Sequence, residues 1–256
     1  MNLRSILLSM AMIAAAPVAA QAQSVGDAIS SALFENVIYS QAKLKVTADL
    51  LRLDRMAVAN GGNHLALLAD DGTIRVWDLL RGSQGRPIKA GKDATFAPSA
   101  DGTLLLLGDG SGRIQLLDAR TGAAVGALAG KGGAISQFAT SADSALLVAG
   151  YQSGQVEIWD MAARKMIAQG TGTGGAITAI AVGAQAVIGS ADGGVAAIDL
   201  KSGAAKPLAN LGAPVADIKM AETQIAAVTI KGDVNMIAGG TTRAAANLDG
   251  NVFSIG

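Results

Sequence analysis

The sequence of 256 residues contains no cysteine, only one histidine and few aromatic side chains, which make up 3% of the chain. Without cysteine the chain forms no disulfides, no thiolate metal sites and no thiol nucleophile. The single histidine also excludes zinc sites built from the usual ligand sets. Because 50% of the residues are apolar and so few are aromatic, we expect a core of Ala, Val, Ile and Leu.

The chain has no excess of positive or negative charge, because 20 basic residues balance 20 acidic residues. No basic stripe is visible, so nucleic acid and anionic lipid surfaces are not predicted as partners. Beyond the N-terminal residues described next, no segment is apolar for long enough to span a bilayer.

The N-terminal 22 residues have the pattern of a signal peptide. Arg4 provides the positive charge, residues 6–16 form an apolar run, and Pro17 interrupts that run. Ala20, Gln21 and Ala22 then match a signal peptidase site. We predict cleavage after Ala22 and export to the periplasm or the medium, with no stable membrane insertion afterwards. An uncleaved inner-membrane anchor is the alternative, because the apolar run is close to spanning length.

Residues 23–52 follow no repeat. Ile29, Leu33 and Val37 recur at four-residue spacing, which favours a short amphipathic helix. A strand over about residues 43–51 is expected next, and it could complete the last blade of a closed ring and so protect an unpaired edge. The predicted organisation is therefore a signal peptide (1–22), an N-terminal segment (23–52) and one repeat domain (53–256).

An eight-residue pattern, first seen as DGTIRVWD at residues 71–78, organises the rest of the chain. It returns as SGRIQLLD, SGQVEIWD and DGGVAAID, and more weakly as KGDVNMIA at residues 231–238. The closing aspartates Asp78, Asp118, Asp160 and Asp199 are separated by 40, 42 and 39 positions. A period near 40 residues is typical of the stacked blades of a β-propeller.

Each repeat predicts four strands. An inner strand and a polar turn precede an apolar second strand, which turns through Asp-Gly or Ser-Gly into the third strand, and a weak outer strand follows. One position of the third strand carries large apolar residues and is expected to lie buried between blades: Trp77, Leu117, Trp159, Ile198 and Ile237. The position two residues earlier is mixed and is expected nearer water: Arg75, Gln115, Glu157, Ala196 and Asn235.

On DGTIRVWD, SGQVEIWD and the SADG-type turns, residues 53–248 resemble WD-repeat β-propellers. The resemblance implies an all-β fold of about five four-stranded blades. The Gly-His dipeptide of that family is absent, so its buried Asp–His network is not expected and apolar stacking must hold the blades together. SGRIQLLDARTG and GGVAAIDLKSG also resemble, more weakly, pyrroloquinoline quinone-type propeller repeats. Residues 249–255 begin another strand, which leaves open a sixth blade completed by both termini or a longer parent protein.

Little in the sequence predicts chemistry. His64 is expected in a solvated turn, no Gly-x-Ser-x-Gly motif surrounds a serine, and the Gly-rich run 171–175 precedes a strand rather than a helix. The repeated aspartates are expected to accept backbone N–H bonds in the turns that follow their strands. Calcium in a single Asp-Gly turn remains an alternative, without EF-hand spacing. We therefore predict no catalytic residue, no cofactor and no metal.

The resemblance, together with the lack of predicted chemistry, implies a non-catalytic scaffold that binds a protein or peptide partner through loops at one face, and the signal peptide predicts that this scaffold is exported. The alternative is the propeller part of a larger exported enzyme, or a propeller that binds a quinone-type cofactor. The sequence does not predict an oligomeric state. The candidate partner-binding residues lie in the loops that enter inner strands or join second to third strands: Asp71, Lys92, Asp109, Lys131, Gln152, Asp192 and Lys231.

Overall fold

The structure is a computed structural model that describes residues 53–58, 64–91, 94–221 and 224–248, without the side chains at 53–55 and 58. The predicted signal peptide, the helix and strand expected within residues 23–52, and residues 249–256 lie outside the described residues. Within the described ranges the chain forms 21 strands and no helix.

The strands form five antiparallel sheets, each built from one sequence repeat. The first sheet contains β1 (Leu53–Val58), β2 (His64–Ala69), β3 (Thr73–Asp78), β4 (Ser83–Gln84) and β5 (Ile88–Lys89). The second contains β6 (Thr95–Pro98), β7 (Leu104–Gly108), β8 (Arg113–Asp118) and β9 (Ala124–Ala129). The third contains β10 (Ile135–Thr140), β11 (Leu146–Tyr151), β12 (Gln155–Asp160) and β13 (Lys165–Thr171). The fourth contains β14 (Ile177–Val182), β15 (Ala186–Ser190), β16 (Gly194–Ile198) and β17 (Ala205–Asn210). The fifth contains β18 (Val215–Ala221), β19 (Gln224–Thr229), β20 (Asp233–Ala238) and β21 (Thr241–Asn247).

In every sheet the strands pair in chain order, so each repeat folds as one up-and-down blade. The first blade differs only in its outer strand, which is split into β4 and β5, both paired with β3. Pro87 lies in the gap and has no N–H to donate, while the Arg86 N–H donates to the Arg120 carbonyl of the second blade, 2.9 Å away. The expectation of about five four-stranded blades is confirmed.

The sheets are held together by apolar residues buried between consecutive blades. Four buried clusters are present among the described residues, and each joins one sheet to the next along the chain. Ile114 and Leu116 of the second blade, for example, pack with Leu147 and Trp159 of the third. Side chains alternate across a strand, so each blade presents one face to the preceding blade and the other to the following blade.

Most of the large third-strand residues are buried between blades as predicted: Leu117, Trp159, Ile198 and Ile237. Trp77 differs, because it is only half-buried. It belongs to the face of the first blade that turns away from the second, and no preceding blade lies among the described residues. The prediction for this position is therefore right for four of its five residues.

The mixed position two residues earlier departs from expectation in the third and fourth blades. Glu157 is 2% exposed and Ala196 is 1% exposed, so neither lies near water. Ala196 is small and apolar and packs in the cluster between the third and fourth blades. Glu157 is buried because two donors satisfy its carboxylate, as described below.

The fifth blade has four strands within its own repeat, β18 to β21. The strand predicted near residues 43–51 is therefore not needed as the fourth strand of this blade. The prediction that this strand completes the last blade of a closed ring concerns residues outside the described ranges and stays a prediction.

Candidate binding surface at one end of the propeller

The turns between second and third strands lie at the same end of the blades as the loops that lead from each outer strand to the next inner strand. Backbone hydrogen bonds connect the two sets within single repeats. The Gly172 N–H donates to the Gly154 carbonyl at 2.9 Å, and the Leu211 N–H donates to the Gly193 carbonyl at 2.9 Å. We call the surface formed by these turns and loops the turn end; its turns are residues 70–72, 109–112, 152–154, 191–193 and 230–232.

The candidate residues predicted from the sequence are brought together at this end. Lys92 lies outside the described residues. The other six are exposed in turns or loops of the turn end: Asp71, Asp109, Lys131, Gln152, Asp192 and Lys231. They come from all five repeats, so the charged groups are distributed around the end and are not gathered in one pocket.

The three candidate aspartates at the turn end, Asp71, Asp109 and Asp192, accept hydrogen bonds from groups in their own turns. Asp71 accepts from the Thr73 backbone N–H at 2.9 Å and from the Thr73 hydroxyl at 2.6 Å. Asp109 accepts from the Ser111 N–H at 2.8 Å and from the Ser111 hydroxyl at 2.6 Å. These hydroxyl bonds are the main reason that the pKa values of Asp71 and Asp109 lie below the ordinary value. Both side chains are therefore ionised and held in one orientation.

Asp192 takes part in a hydroxyl network that joins two loops. Its carboxylate accepts hydrogen bonds from the Ser190 hydroxyl, from the Gly194 N–H at 3.0 Å and from the Thr173 hydroxyl at 3.1 Å. The Thr173 and Ser190 oxygens are themselves 2.6 Å apart. The Ser190 bond is the largest cause of the lowered pKa of Asp192, and partial burial opposes it. The network ties the Gly-rich loop to the neighbouring turn, so that loop has a structural partner and leads into β14 rather than a helix.

A buried carboxylate supports the loop that carries Lys131. Glu157 accepts from the Lys131 backbone N–H at 2.8 Å through Oε1 and from the Tyr151 hydroxyl through Oε2. Burial, followed by the bond to Glu157 and its charge, raises the pKa of Tyr151. Sequence reasoning missed this network because Glu157 occupies the mixed third-strand position that was expected to lie nearer water. The available signal was the pairing of a tyrosine and a glutamate in adjacent strands of one hairpin.

The strand-ending aspartates lie at the opposite end and have the structural role that was predicted. Asp118 accepts the Thr121 N–H at 2.7 Å, Asp160 accepts the Ala163 N–H at 2.7 Å, and Asp199 accepts the Ser202 N–H at 2.8 Å. Each carboxylate therefore closes the turn that follows its own third strand. In the part of the chain that the structure describes, no group of three or more His, Asp or Glu side chains could hold a metal ion.

His64 does not lie in a solvated turn, as the sequence analysis expected. It is the first residue of β2, and its side chain is 18% exposed. A Cβ added at Gly102 of the next blade would lie 2.0 Å from the imidazole, so the ring occupies the space that this glycine leaves. Its Nε2 is 3.8 Å from Asp78 Oδ2. His64 therefore packs between the first two blades, away from the turn end.

The inner strands carry few titratable groups within the described ranges. Asp217 and Lys219 of β18 form an ion pair of 3.5 Å, and Asp93 lies outside the described residues. Two shallow grooves of about 130 and 390 Å³ run beside the outer strands of the third and fifth blades. Their polar rims include Gln155 and Thr171 in one groove and Asp233 and Asn247 in the other. Both grooves are lined mainly by residues of the third and outer strands of one blade.

Comparison with known proteins gives a fold and no family. No family model matches the chain, and no curated protein matches it. Among solved structures 1630 chains are similar. One of them, from the crystal structure of a mitotic checkpoint complex, is 16% identical, with a TM-score of 0.64 over 81% of this chain and 69% of that chain.

The fold is a β-propeller. The WD-repeat resemblance is supported at this level, because blade order, strand pairing and inter-blade packing all agree with it. An identity of 16% carries no information on what the propeller binds. No helix in the described ranges has both the length and the apolar character needed to cross a membrane.

Proposed function

We propose that the protein is a non-catalytic exported binding module whose turn end recognises a protein or peptide partner. The observation that carries the proposal is the position of six predicted residues, all exposed and all at one end, on turns that hydrogen bonds hold in place. Loops on a rigid scaffold are the usual location of binding residues in folds of this kind.

Rigidity of the turns favours binding. The carboxylates of Asp71, Asp109 and Asp192 are already oriented by their own hydrogen bonds, so a partner does not have to order them. Ordering a flexible side chain at an interface costs about 0.5–1.5 kcal/mol, and preorganisation removes that cost. Surface ion pairs add little affinity by themselves, but their arrangement selects partners.

The charge pattern indicates the kind of partner. Acidic side chains stand on the first, second and fourth blades, and Lys131 and Lys231 stand at the third and fifth. A partner that crosses the turn end therefore needs both signs of charge, with basic groups opposite the aspartates. A peptide or protein segment that spans several blades meets this requirement, whereas a uniformly charged polymer does not.

The N-terminal sequence supports export, and we place the partner in the periplasm or outside the cell. Site-specific photo-crosslinking in intact cells tests the proposed module. A photoreactive residue is introduced at Lys131, Gln152 or Lys231, and matched control variants carry it at Arg120 or Lys201, which are exposed at the opposite end. Adducts are identified by mass spectrometry of the exported fraction.

We expect one protein to crosslink from the turn-end positions and not from the controls. Equal crosslinking from both ends, or none from the turn end, contradicts the proposed surface. Recovery of the protein in the cytoplasmic fraction with its first 22 residues intact contradicts the proposed export. Binding of a quinone together with calcium by the purified protein would instead favour the cofactor-binding alternative.

Charge reversal tests the same surface in solution. The double variant Lys131→Glu/Lys231→Glu should weaken capture of the crosslinked partner at least about tenfold, since like charges across an interface cost several kcal/mol. Lys201→Glu is the matched control and should retain binding. Thermal unfolding of all three proteins checks that the propeller is intact.

A further inference from the structure

The fifth blade has one face that turns away from the fourth blade, and we call it the trailing face; its residues are Ala226, Val228, Val234 and Met236. The opposite face, with Ala227 and Ile237, is buried against the fourth blade. On the trailing face Val234 and Met236 are only half-buried. Their equivalents in the fourth blade, Val195 and Ala197, are 0% and 4% exposed. The trailing face is therefore apolar; Val228 is 0% exposed, whereas Ala226, Val234 and Met236 are incompletely covered.

In the preceding blades the corresponding face is covered by the inner strand of the next blade. A Cβ added at Gly189 would lie 2.5 Å from Val215 Cγ1 and 3.0 Å from Ile218 Cδ1. Gly150 has the same relation to Ile177 and Ile180, and Gly108 has it to Ile135 and Phe138. Two large apolar residues, three positions apart in an inner strand, thus cover the second strand of the blade before.

The sequence that follows β21 repeats the sequence that follows β17. Asn210, Leu211, Val215 and Ile218 have counterparts at the same spacing in Asn247, Leu248, Val252 and Ile255. The backbone hydrogen bond at the start of the two connections is also the same. The Leu248 N–H donates to the Gly232 carbonyl at 2.9 Å, as the Leu211 N–H donates to the Gly193 carbonyl at 2.9 Å. The chain therefore leaves the fifth blade in the direction that carries residues 211–218 onto the fourth.

We propose that residues 252–255 pack on the trailing face as the inner strand of a sixth blade, with Val252 and Ile255 in the roles of Val215 and Ile218. The connection needs three residues, 249–251, which is the number between Leu211 and Val215. The proposal commits to this segment as the occupant of the trailing face. It does not depend on the proposed function, although residues 249–251 would add a loop to the turn end.

The fifth blade differs from the fourth in one residue that the covering strand would contact. The fifth blade has Val228 at the position of Gly189, because both residues pair with the equivalent third-strand valine. The first blade shows that a side chain fits there. Leu68 occupies the same position, is fully buried, and shares a cluster with Ala94, which directly precedes the next inner strand, and with Phe96 of that strand. The side chain of Val228 therefore increases the distance between β19 and the strand that covers it, but it leaves room for that strand.

A disulfide between two introduced cysteines tests the contact directly, because the native chain has no cysteine. The equivalent pair in the preceding junction has its Cβ positions 2.7 Å apart, so the added bulk of Val228 places positions 228 and 252 near the 3.5–4.5 Å that a disulfide requires. The test variant of the full chain is Val228→Cys/Val252→Cys. The control is Ala227→Cys/Val252→Cys, because Ala227 is the adjacent residue on the opposite face.

Under mild oxidation we expect at least about tenfold more intramolecular disulfide in the test variant than in the control, since only the test pair is held within reach. Equal yields in the two variants would overturn the proposal. So would a disulfide that forms only between molecules, which would assign the trailing face to a second copy of the chain.

Polar substitutions give a second, independent measurement. Val252→Asp/Ile255→Asp removes the two apolar side chains that are proposed to cover the trailing face. Amide hydrogen exchange in residues 233–238 should therefore become at least about tenfold faster. The matched control is Ser254→Asp, at the position where the fifth blade itself has Asp217. Unchanged exchange in the double variant, or equal acceleration in the control, contradicts the proposal.

Discussion

Glu157 and Tyr151 form a buried polar pair within an apolar interface. Glu157 is 2% exposed, and its carboxylate is balanced by the Tyr151 hydroxyl and the Lys131 N–H. A buried acceptor that loses a partner costs about 1–3 kcal/mol, more than the net gain from forming one bond. The pair therefore stabilises the third blade only while both members are present, and it positions the loop of Lys131 at the turn end.

Tyr151→Phe tests this pair. At pH 7 we expect a loss of about 1–3 kcal/mol in the free energy of unfolding, because the Glu157 carboxylate loses a donor. The pKa of Tyr151 is raised above its ordinary 10.0, so the folded protein holds the phenolic proton more tightly than the unfolded chain does. The stabilisation is therefore complete below about pH 10 and falls as the pH rises further. Denaturant titrations between pH 7 and 11 measure both effects.

In the native protein, ionisation of Tyr151 lowers the free energy of unfolding as the pH rises above about 10. Tyr151→Phe should not show this decrease. Gln152→Ala, at the exposed neighbouring position, serves as the control and should keep that loss. An alkaline slope of the same size in Tyr151→Phe and in the native protein would show that the pair does not act as described.

The two tryptophans allow a matched comparison of burial. Trp159→Ala should reduce the free energy of unfolding by about 3–5 kcal/mol, because the ring fills the junction between the second and third blades. Trp77→Ala should cost about 1–2 kcal/mol, because Trp77 is half-buried and has less apolar area to lose. Chemical denaturation of both variants measures the difference. Equal losses would mean that the two rings are equally enclosed.

At the scale of the hairpin, the glycines that end second-to-third-strand turns have a conformational and a steric role. Gly154 has φ of 81°, and a Cβ there would lie 2.9 Å from the Gly175 carbonyl oxygen. Gly110 lies in the turn of the second blade, has no such φ, and has nothing within 4 Å of an added Cβ. The two positions therefore form a natural pair for mutation.

Gly154→Ala should destabilise the protein by about 1–3 kcal/mol through backbone strain and the close carbonyl contact. Gly110→Ala should be neutral or should stabilise by about 0.4–1 kcal/mol, because alanine restricts the unfolded chain. Thermal and denaturant unfolding of the two variants provide the measurement. Comparable destabilisation in both would contradict the role assigned to Gly154.

Asp192 connects a turn and a loop, and its contribution depends on pH. Its pKa is lowered chiefly by the Ser190 hydroxyl bond, so its stabilisation is present above the ordinary value of 3.8 and is lost as the pH falls through the folded-state pKa. Asp192→Asn should cost about 0.5–1.5 kcal/mol at pH 7. Denaturation from pH 7 to 2 should show that the variant approaches the native protein in stability at the acid end. A constant difference over that range would exclude ionisation as the cause.

The hairpins and the strand-ending aspartates were predictable because their causes are local. Asp-Gly and Ser-Gly dipeptides produce the turns, and each aspartate bonds to the backbone two or three residues further on, as at Asp118 and Thr121. The split outer strand of the first blade was not predicted. It depends on Pro87 and on an Arg86 bond to the second blade, and that partner is distant in sequence.

At the scale of the whole molecule, stability should differ between blades. The second, third and fourth blades are covered on both faces by described neighbours, whereas the first and fifth are covered on one. In repeat proteins stability is approximately the sum of each repeat and its interfaces. The middle blades therefore have two stabilising interfaces each.

We expect amide hydrogen exchange to be slowest in β11 and β15, which lie between two complete described blades, and faster in β2 and β19. The blade of β2 has one described neighbour, and the trailing face beside β19 is covered only by the short segment proposed above, residues 252–255. The four strands are all second strands of their blades and are all mainly apolar, so they occupy matched positions. Hydrogen exchange followed by mass spectrometry measures them together. Uniform protection across the four strands would indicate that the propeller opens as one unit and that the end blades are as well covered as the middle ones.

The sequence by itself determined the repeat, its period, the four strands of each blade and the turns between them, because all of these follow from patterns within about 40 consecutive residues. Only the tertiary structure decided which side chains are enclosed. His64 is packed by Gly102 of the next repeat, and Trp77 is half-buried because the described residues place no blade before it. Burial depends on the partner that lies across each junction, and a single repeat does not contain that partner.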